Sequence, residues 1–372
     1  MAKALEACLL VTDITGYTVY LNASELEHAQ GTLTDLLNVL VDHAGPPLRI
    51  SKLEGDAVFS YALGDAFTDG RLFLDLVEDT YVAFRRAIDS MVLNNTCQCN
   101  ACANVSSLDL KFIVHFGSFI SQHIGAYDEL LGPDVNLVHR LLKNTVTDQM
   151  GMRAYCLYTA SARDHLGLDE VTSLIAHDED VTDFGHVETF VQDLGEVYHP
   201  GDEPEITIDD SDLWFSIDAD IPMSPAMVWD YLSSPLFRNI LLGTERQELT
   251  NLADGRVGVG SVYQCYHGDK VTPQRVVRWE PFTTIVTEDG SPDSLKGTTL
   301  VVYSLAETPS GTHLEVRAGG FEGRPWWVRT TVKATGFVMR RMLARSLSAF
   351  IEAMEADQLS RSSSENGAPG MP

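Results

Sequence analysis

The chain has 372 residues, 44% of them hydrophobic and 21% charged, enough for two globular domains with cores of their own. Its 53 acidic residues outweigh 26 lysines and arginines, and the net charge of −27 argues against nucleic acid or anionic lipid as a general partner. No apolar run nears the roughly 20 residues that cross a bilayer, the N-terminus lacks a signal-peptide succession, and six cysteines are no disulfide framework, so a cytoplasmic protein is expected.

Residues 4–13 form an apolar run ending on Asp13, the pattern of a buried strand that delivers an acid to its C-terminal edge. Residues 14–18 turn the chain. A helix is predicted from Ser24, with Leu26, Ala29, Leu33, Leu36, Leu37 and Leu40 at helical spacing, and Gly45-Pro46-Pro47 stops it. The next stretch reads as a hairpin. One strand ends near Lys52, Glu54-Gly55 turn, and the second strand starts at Asp56. A helix over about 70–92 leads to a polar, cysteine-rich loop, then a strand over 108–116, a second hairpin over 117–131 and a helix over 135–142. This order predicts an α/β sandwich with a largely antiparallel sheet.

No Lys or Arg lies between Arg163 and Arg238, and residues 177–212 carry thirteen acids. Within them, 186–191 alternate like a strand, and 198–212 read as an acidic linker. Residues 213–221 alternate again, and Ser224-Pro225 opens a helix. Strands are predicted near 244–250, 261–267, 274–279, 283–288, 298–305 and 312–318. A long helix closes the domain over about 325–356, with Phe337, Met339, Leu343, Leu347, Phe350 and Met354 among its apolar positions. Residues 358–372 are Ser, Gly and Pro rich and are expected to be a disordered tail.

Two patterns suggest chemistry. Asp13 and Asp56 sit at predicted strand edges, where two converging carboxylates make a hard-cation site for Mg²⁺ or Mn²⁺; alternatively they are two unrelated surface acids. Asn136 and Arg140, at i and i+4, share one helix face and can steer an oxygen and neutralise a phosphoryl group, or simply form a polar face.

Taken together, the N-terminal stretch, about residues 5–195, resembles the class III adenylyl/guanylyl cyclase catalytic domain. The resemblance rests on Asp13-Ile14-Thr15-Gly16-Tyr17-Thr18, Lys52-Leu53-Glu54-Gly55-Asp56, Val114-His115-Phe116-Gly117 and the stretch from Gly132 through Val135-Asn136 to Arg140. It is similar also to an uncharacterised bacterial branch of that superfamily, described only as a domain of unknown function. The resemblance implies a ferredoxin-like α/β sandwich that forms cyclic AMP and pyrophosphate from ATP in a head-to-tail homodimer. Asp13 and Asp56, with the carbonyl of Ile14, would hold two metal ions. Lys52 and Glu129 would read the purine, Glu129 standing where adenylyl cyclases carry Asp or Thr. Asn136 and Arg140 would position the ribose and stabilise the transition state, with the metal acids from one chain and the other residues from its partner. For the β- and γ-phosphates, Lys111, Lys143 and Arg153 are candidates. The alternative is a catalytically inactive nucleotide-binding sensor.

Cys97, Cys99 and Cys102 are three thiols within six residues. They suit a structural Zn²⁺ site completed by His43, His115, Cys156 or a partner chain's cysteine, a redox-sensitive loop, or plain cysteines. The C-terminal part, 213–357, resembles the START-like/polyketide-cyclase (SRPBCC) helix-grip fold through its opening Ile221-Pro222-Met223-Ser224-Pro225. That implies a cavity for a small apolar ligand, with Trp279, Phe321, Trp326, Trp327 and Met339 as candidate lining or ordinary core, and a fold class of α+β throughout. Arg275, Arg278, Glu315 and Arg317 are candidate buried polar contacts there.

Overall fold

In the computed structural model the described residues are 3–64, 66, 67, 69–93, 99–125, 127–199, 206, 208–252, 254–290, 298–320 and 326–366. They fall into two compact units, residues 1–201 and 202–372.

The first unit opens with β1 (Leu5–Thr15), α1 (Tyr17–Ala23) and α2 (Leu26–His43), then the hairpin β2 (Arg49–Glu54) and β3 (Ala57–Leu63). After α3 (Leu72–Leu93) and α4 (Asn100–Asn104) come β4 (Asp109–Ile124), β5 (Tyr127–Leu131), α5 (Pro133–Arg140), α6 (Val146–Met150), β6 (Tyr155–Thr159), α7 (Ala160–His165), β7 (Ile175–Val181) and β8 (Gly185–Asp193). The sheet order is β2-β3-β1-β4-β6-β8-β7, with β5 on the far half of β4. Only the β4–β6 pair is parallel.

The apolar run of β1 serves both faces of this sheet. Cys8, Leu10 and Ile14 pack with Leu33, Leu36 and Leu40 of α2 and with Phe73, Val77 and Phe84 of α3. Ala7, Leu9 and Val11 pack with Val135 and Val138 of α5. Each such aliphatic or aromatic side chain taken out of water contributes about 1.5–3 kcal/mol. Asp13 continues the Leu9–Val11 phase, so alternation places it on the α5 face.

Three features depart from the sequence reading. The turn at 14–18 continues into α1, which starts at Tyr17 after Gly16 (φ +90) and is anchored by buried Tyr20. β4 runs on past Phe116 and forms the second hairpin itself. β7 was hidden by its acids, yet Glu179 is 4% exposed and accepts from the Thr145 backbone N–H at 2.7 Å and its hydroxyl at 2.9 Å.

α5 lies unusually close to β4. A Cβ on Gly117 would meet Asp134 Cγ at 2.4 Å, and one on Gly132 would meet the Ser118 carbonyl oxygen at 2.9 Å. The space is used by Asp134, which accepts from the Ser118 backbone N–H at 2.7 Å and lies 3.3 Å from His115 Nε2. Burial holds the His115 imidazole below its usual range, and its Nδ1 is 2.9 Å from the Thr159 hydroxyl.

The second unit comprises β9 (Leu213–Ile221), α8 (Pro225–Ser233), α9 (Pro235–Leu242), β10 (Arg246–Thr250), β11 (Val262–His267), β12 (Lys270–Glu280), β13 (Thr284–Gly290), β14 (Thr298–Thr308), β15 (Gly311–Gly319) and α10 (Trp326–Asn366). Its seven strands are antiparallel in the order β10-β11-β12-β13-β14-β15-β9. The Ser224 hydroxyl caps α8 by accepting from the Met227 N–H at 3.4 Å. On α10, Leu343, Leu347, Phe350 and Met354 are buried, whereas Phe337 is 75% exposed.

α10 runs past residue 356, and 358–366, expected as tail, are helical. Tyr231 donates to Asp357 at 2.8 Å, Gln358 donates to Tyr231 at 2.8 Å, and Arg361 donates to Asp357 at 2.7 Å, giving this extension partners. The expected linker 198–212 is partly packed. Tyr198 donates to Asp89 at 2.6 Å, and Ile208 is buried with Val286 and Val302. Residues 200–205 and 207 lie outside the described residues.

Gly117→Ala should lower stability by about 2 kcal/mol, because overpacking at a rigid contact costs roughly 1–3 kcal/mol. The check is a thermal melt, with Gly125→Ala, where a Cβ meets nothing within 4 Å but the φ of +66 is strained, as the milder comparison.

Candidate functional site

Register builds one row across four strands: Ala57 of β3, Asp13 of β1, Lys111 of β4 and Tyr155 of β6 are direct neighbours in turn. Lys111 Nζ lies 3.1 Å from Asp13 Oδ2 and donates to the Leu142 carbonyl at 3.1 Å. Asp56 follows Gly55, whose φ of +68 makes the hairpin turn. The Ile14 backbone N–H donates to the Asp56 carbonyl at 3.4 Å, which ties the hairpin tip to the end of β1 and brings the two acids together.

Burial and then the charge of Asp13 push the Asp56 carboxyl up to about 6, offset in part by a backbone N–H and by Lys111. Two carboxylates share one ammonium group, so the site is short of positive charge. That donor set, hard oxygens at the edge of a sheet, fits a divalent cation. Ile14 keeps its side chain in the core, and its backbone belongs to the same strand edge.

A second cluster sits where β2 meets β5. Lys52 Nζ lies 3.1 Å from Glu129 Oε2 and 3.1 Å from Glu54 Oε1. Glu54 Oε2 lies 3.3 Å from His139 Nδ1, and the His139 ring packs edge-on against Phe59 at 4.8 Å. Burial keeps the His139 imidazole below its usual range. Lys52 and Glu54 are i and i+2 on one strand and so share a face. Neither Glu54 nor His139 is a site candidate by sequence; the alternation of β2 is the available signal for Glu54, and His139 stands out only as an unusual neighbour of Arg140.

Asn136 and Arg140 lie on the exposed face of α5, and Arg140 Nη2 is 3.9 Å from Asp183, itself 74% exposed. The fold therefore pairs Asp13 with Asp56 and Lys52 with Glu129. Among the described residues no hydrogen bond or ion pair joins the acids to Lys52, Asn136 or Arg140 within one chain. Of the phosphate candidates, Lys111 is held by Asp13, Arg153 donates to the Ser107 carbonyl at 2.6 Å, and Lys143 is exposed.

The cysteine loop meets an unexpected residue. His28, in the first turn of α2, places Nδ1 3.1 Å from Cys99 Sγ, and single donor atoms of His28, Cys99 and Cys102 lie within 4.8 Å of one another. Cys99 Sγ also accepts from the Cys102 N–H at 3.4 Å. Glu25 fastens the two elements by accepting from the Ala101 N–H and the Asn100 amide, each at 3.2 Å. The named completing residues are elsewhere: His43 pairs with Asp79 at 2.8 Å, His115 faces Asp134, and Cys156 is wholly buried in the core. Cys97 lies outside the described residues.

The apolar cavity expected in the second unit is not what the described side chains show. Phe321 and the side chains of Trp326 and Trp327 lie outside them, Met339 is half-buried, and Trp279 packs edge-on against Trp229 at 4.7 Å. A cavity of about 590 Å³ has charged and polar walls, including Arg278, Glu280, Ser304, Glu315 and Arg317. Arg275 is exposed.

Residues 33–150 match a family described as "Protein of unknown function (DUF2652)". The chain is 34% identical over 114 residues to the uncharacterized protein Rv2561/Rv2562 of Mycobacterium tuberculosis, covering 31% of this chain and 52% of that protein. It thus spans about half the length of this curated relative. Solved structures similar over about half of the chain include a bacterial light-regulated adenylyl cyclase (14% identity, TM-score 0.41, 52% of this chain and 54% of that one). The guanylyl cyclase Cya2 is similar at 13% identity and TM-score 0.40, over 51% of this chain and 92% of that one. The adenylyl cyclase CyaB from P. aeruginosa is similar at 15% identity and TM-score 0.35, over 51% of this chain and 95% of that one.

Because its pKa is raised, ionising Asp56 opposes folding; the cost appears as pH climbs from about 4 to about 6 and persists above. Asp56→Asn should therefore melt higher than wild type at pH 8 in metal-free buffer. MnCl₂ should raise the wild-type melting temperature and leave Asp56→Asn nearly unchanged; equal shifts in both proteins would exclude Asp56 as a ligand.

Proposed function

We propose that the first unit is a nucleotidyl cyclase that forms cyclic AMP from ATP in a head-to-tail homodimer. The observation that carries this reading is the Asp13–Asp56 pair, two carboxylates brought together at one strand edge, with Lys111 ion-paired to Asp13 on the side away from β3, and so poised for divalent cations. Asp13, Asp56 and the Ile14 carbonyl would hold Mg²⁺ or Mn²⁺, which supplies charge neutralisation at the triphosphate and activation of the 3′-hydroxyl. Lys52 and Glu129 offer a donor and an acceptor side by side for the purine edge. Exposed Asn136 and Arg140 orient the ribose and meet the charge that develops on the α-phosphate of a nucleotide held by the partner's acids. Separation of the two clusters within one chain supports a site shared between two copies.

A second reading concerns zinc. The His28–Cys99–Cys102 grouping offers one nitrogen and two sulfurs, the donor types of a structural Zn²⁺. There it would clamp the start of α2 to α4.

Full-length protein incubated with ATP and, separately, GTP in Mn²⁺ should yield cyclic AMP from ATP, read by chromatography. Asp13→Ala and Asp56→Ala should abolish it, and Arg140→Ala should slow it by about 10²–10³-fold. Undiminished product in either acid variant would exclude the metal assignment, and saturable ATP binding without product would make the unit a nucleotide sensor. For zinc, protein purified without chelator should carry about one zinc per chain by elemental analysis, the expectation for one closed N/S site. Cys99→Ser and Cys102→Ser should lose it and His28→Ala should retain less; a metal-free wild type after zinc supplementation would count against the site.

A further inference from the structure

Arg238 projects from α9 into the second unit and is 0% exposed. Nη1 donates to the Leu232 carbonyl at 3.4 Å, a long contact. Nε and Nη2, which form the side-on fork of the guanidinium, have no hydrogen-bond partner. The rings of Tyr263 and Tyr303 lie against the group at 4.7 and 4.5 Å. Among the described residues no carboxylate lies within ion-pair distance of it. The buried carboxyl of Asp289 acts on Arg238 through its charge, with no ion pair between them among the described residues, so the side-on fork keeps two buried N–H donors without an acceptor, which costs free energy until a ligand supplies one.

The surroundings are polar in an organised way. Tyr263, Gln274 and Asp289 stand directly opposite one another on β11, β12 and β13. Gln274 donates its amide to Asp289 at 2.5 Å, and Thr287 donates to the other oxygen at 2.8 Å. That bond fixes which way the Gln274 amide points, so Gln274 Oε1 is a committed acceptor, and it is buried with no donor. The Tyr303 hydroxyl, Gln247 Oε1 and the indole N–H groups of Trp229 and Trp279 are likewise buried and unpartnered. Trp279, Ile285 and Tyr303 follow one another across β12, β13 and β14 on this same face.

We propose that the interior of the second unit is a binding site for a small organic acid. Its carboxylate sits on the Nε–Nη2 edge of Arg238, and a hydroxyl on its body donates to Gln274. A planar two-oxygen anion matches that fork in spacing and charge. The tyrosine and tryptophan rings supply a flat apolar wall, so a hydroxylated aromatic carboxylate is the class that satisfies most of the orphaned atoms. This goes beyond the nucleotide reading of the first unit and does not depend on it.

The test uses the full chain, tryptophan fluorescence and thermal melts, with 4-hydroxybenzoate, benzoate, phenol and inorganic phosphate as probes. Expected is saturable stabilisation by both carboxylates, tighter for 4-hydroxybenzoate, and none by phenol. Arg238→Met should bind 4-hydroxybenzoate at least about tenfold more weakly, the loss of a bidentate charged contact. Its ligand-free melt should stay cooperative, which shows that the variant folds. If Arg238→Met does not fold, Gln274→Met decides: it should erase the preference for 4-hydroxybenzoate over benzoate. No saturable response to either carboxylate, binding of phosphate alone, or unchanged binding in a folded Arg238→Met would overturn the proposal.

Discussion

The approach of α5 to β4 is the contact on which the first unit depends. Two glycines, Gly117 and Gly132, remove the side chains that would hold helix and strand apart, and Asp134 fills the gap by binding the Ser118 N–H. Helix packing is usually a compromise among interdigitating side chains and tolerates slippage. Here a charged hydrogen bond at the first turn fixes the helix in rotation and in height. Asn136, His139 and Arg140 inherit their placement from that one registration, and so does the covering of Leu9 and Val11.

Electrostatics then sorts the α5 face. The chain carries a net charge of −27, and three of its positive groups are each set singly among particular partners. Lys111 pairs with Asp13, Lys52 lies between Glu54 and Glu129, and Arg238 lies between two tyrosine rings. Two of these balances are left incomplete, with too little positive charge at Asp13 and Asp56 and two N–H donors without an acceptor at Arg238. Incomplete balance inside a folded protein is a statement about what the fold is prepared to receive.

The parts visible in the sequence were those written locally. Asp13 at the end of an apolar run, the Lys52–Asp56 turn, and Asn136 with Arg140 one helical turn apart all follow from spacing over a few residues. What stayed hidden was long-range or ran against composition. His28 and Cys99 are 71 residues apart and meet where Glu25 fastens the start of α2 to the Ala101 N–H of α4. β7 carries Asp178, Glu179 and Asp180, which read as solvent-exposed until Thr145 and His177 are seen to enclose Glu179. Arg238, within Pro235-Leu236-Phe237-Arg238-Asn239, looks like the polar side of a short surface helix. The reverse holds for Phe337, which periodicity assigned to the core and the fold leaves in water.

The Lys52 cluster joins two strands and a helix through a chain of shared charges. Lys52 divides its three donors between Glu129 on one strand and Glu54 on its own, and Glu54 is in turn engaged by His139 on α5. Replacing Glu129 alone leaves Lys52 tethered to Glu54, still oriented as before, so one substitution changes the acceptor without releasing the donor. The linkage therefore acts as a brace with two independent ties: loss of the Glu129 contact leaves β2 joined to α5, and loss of the His139 contact leaves β2 joined to β5.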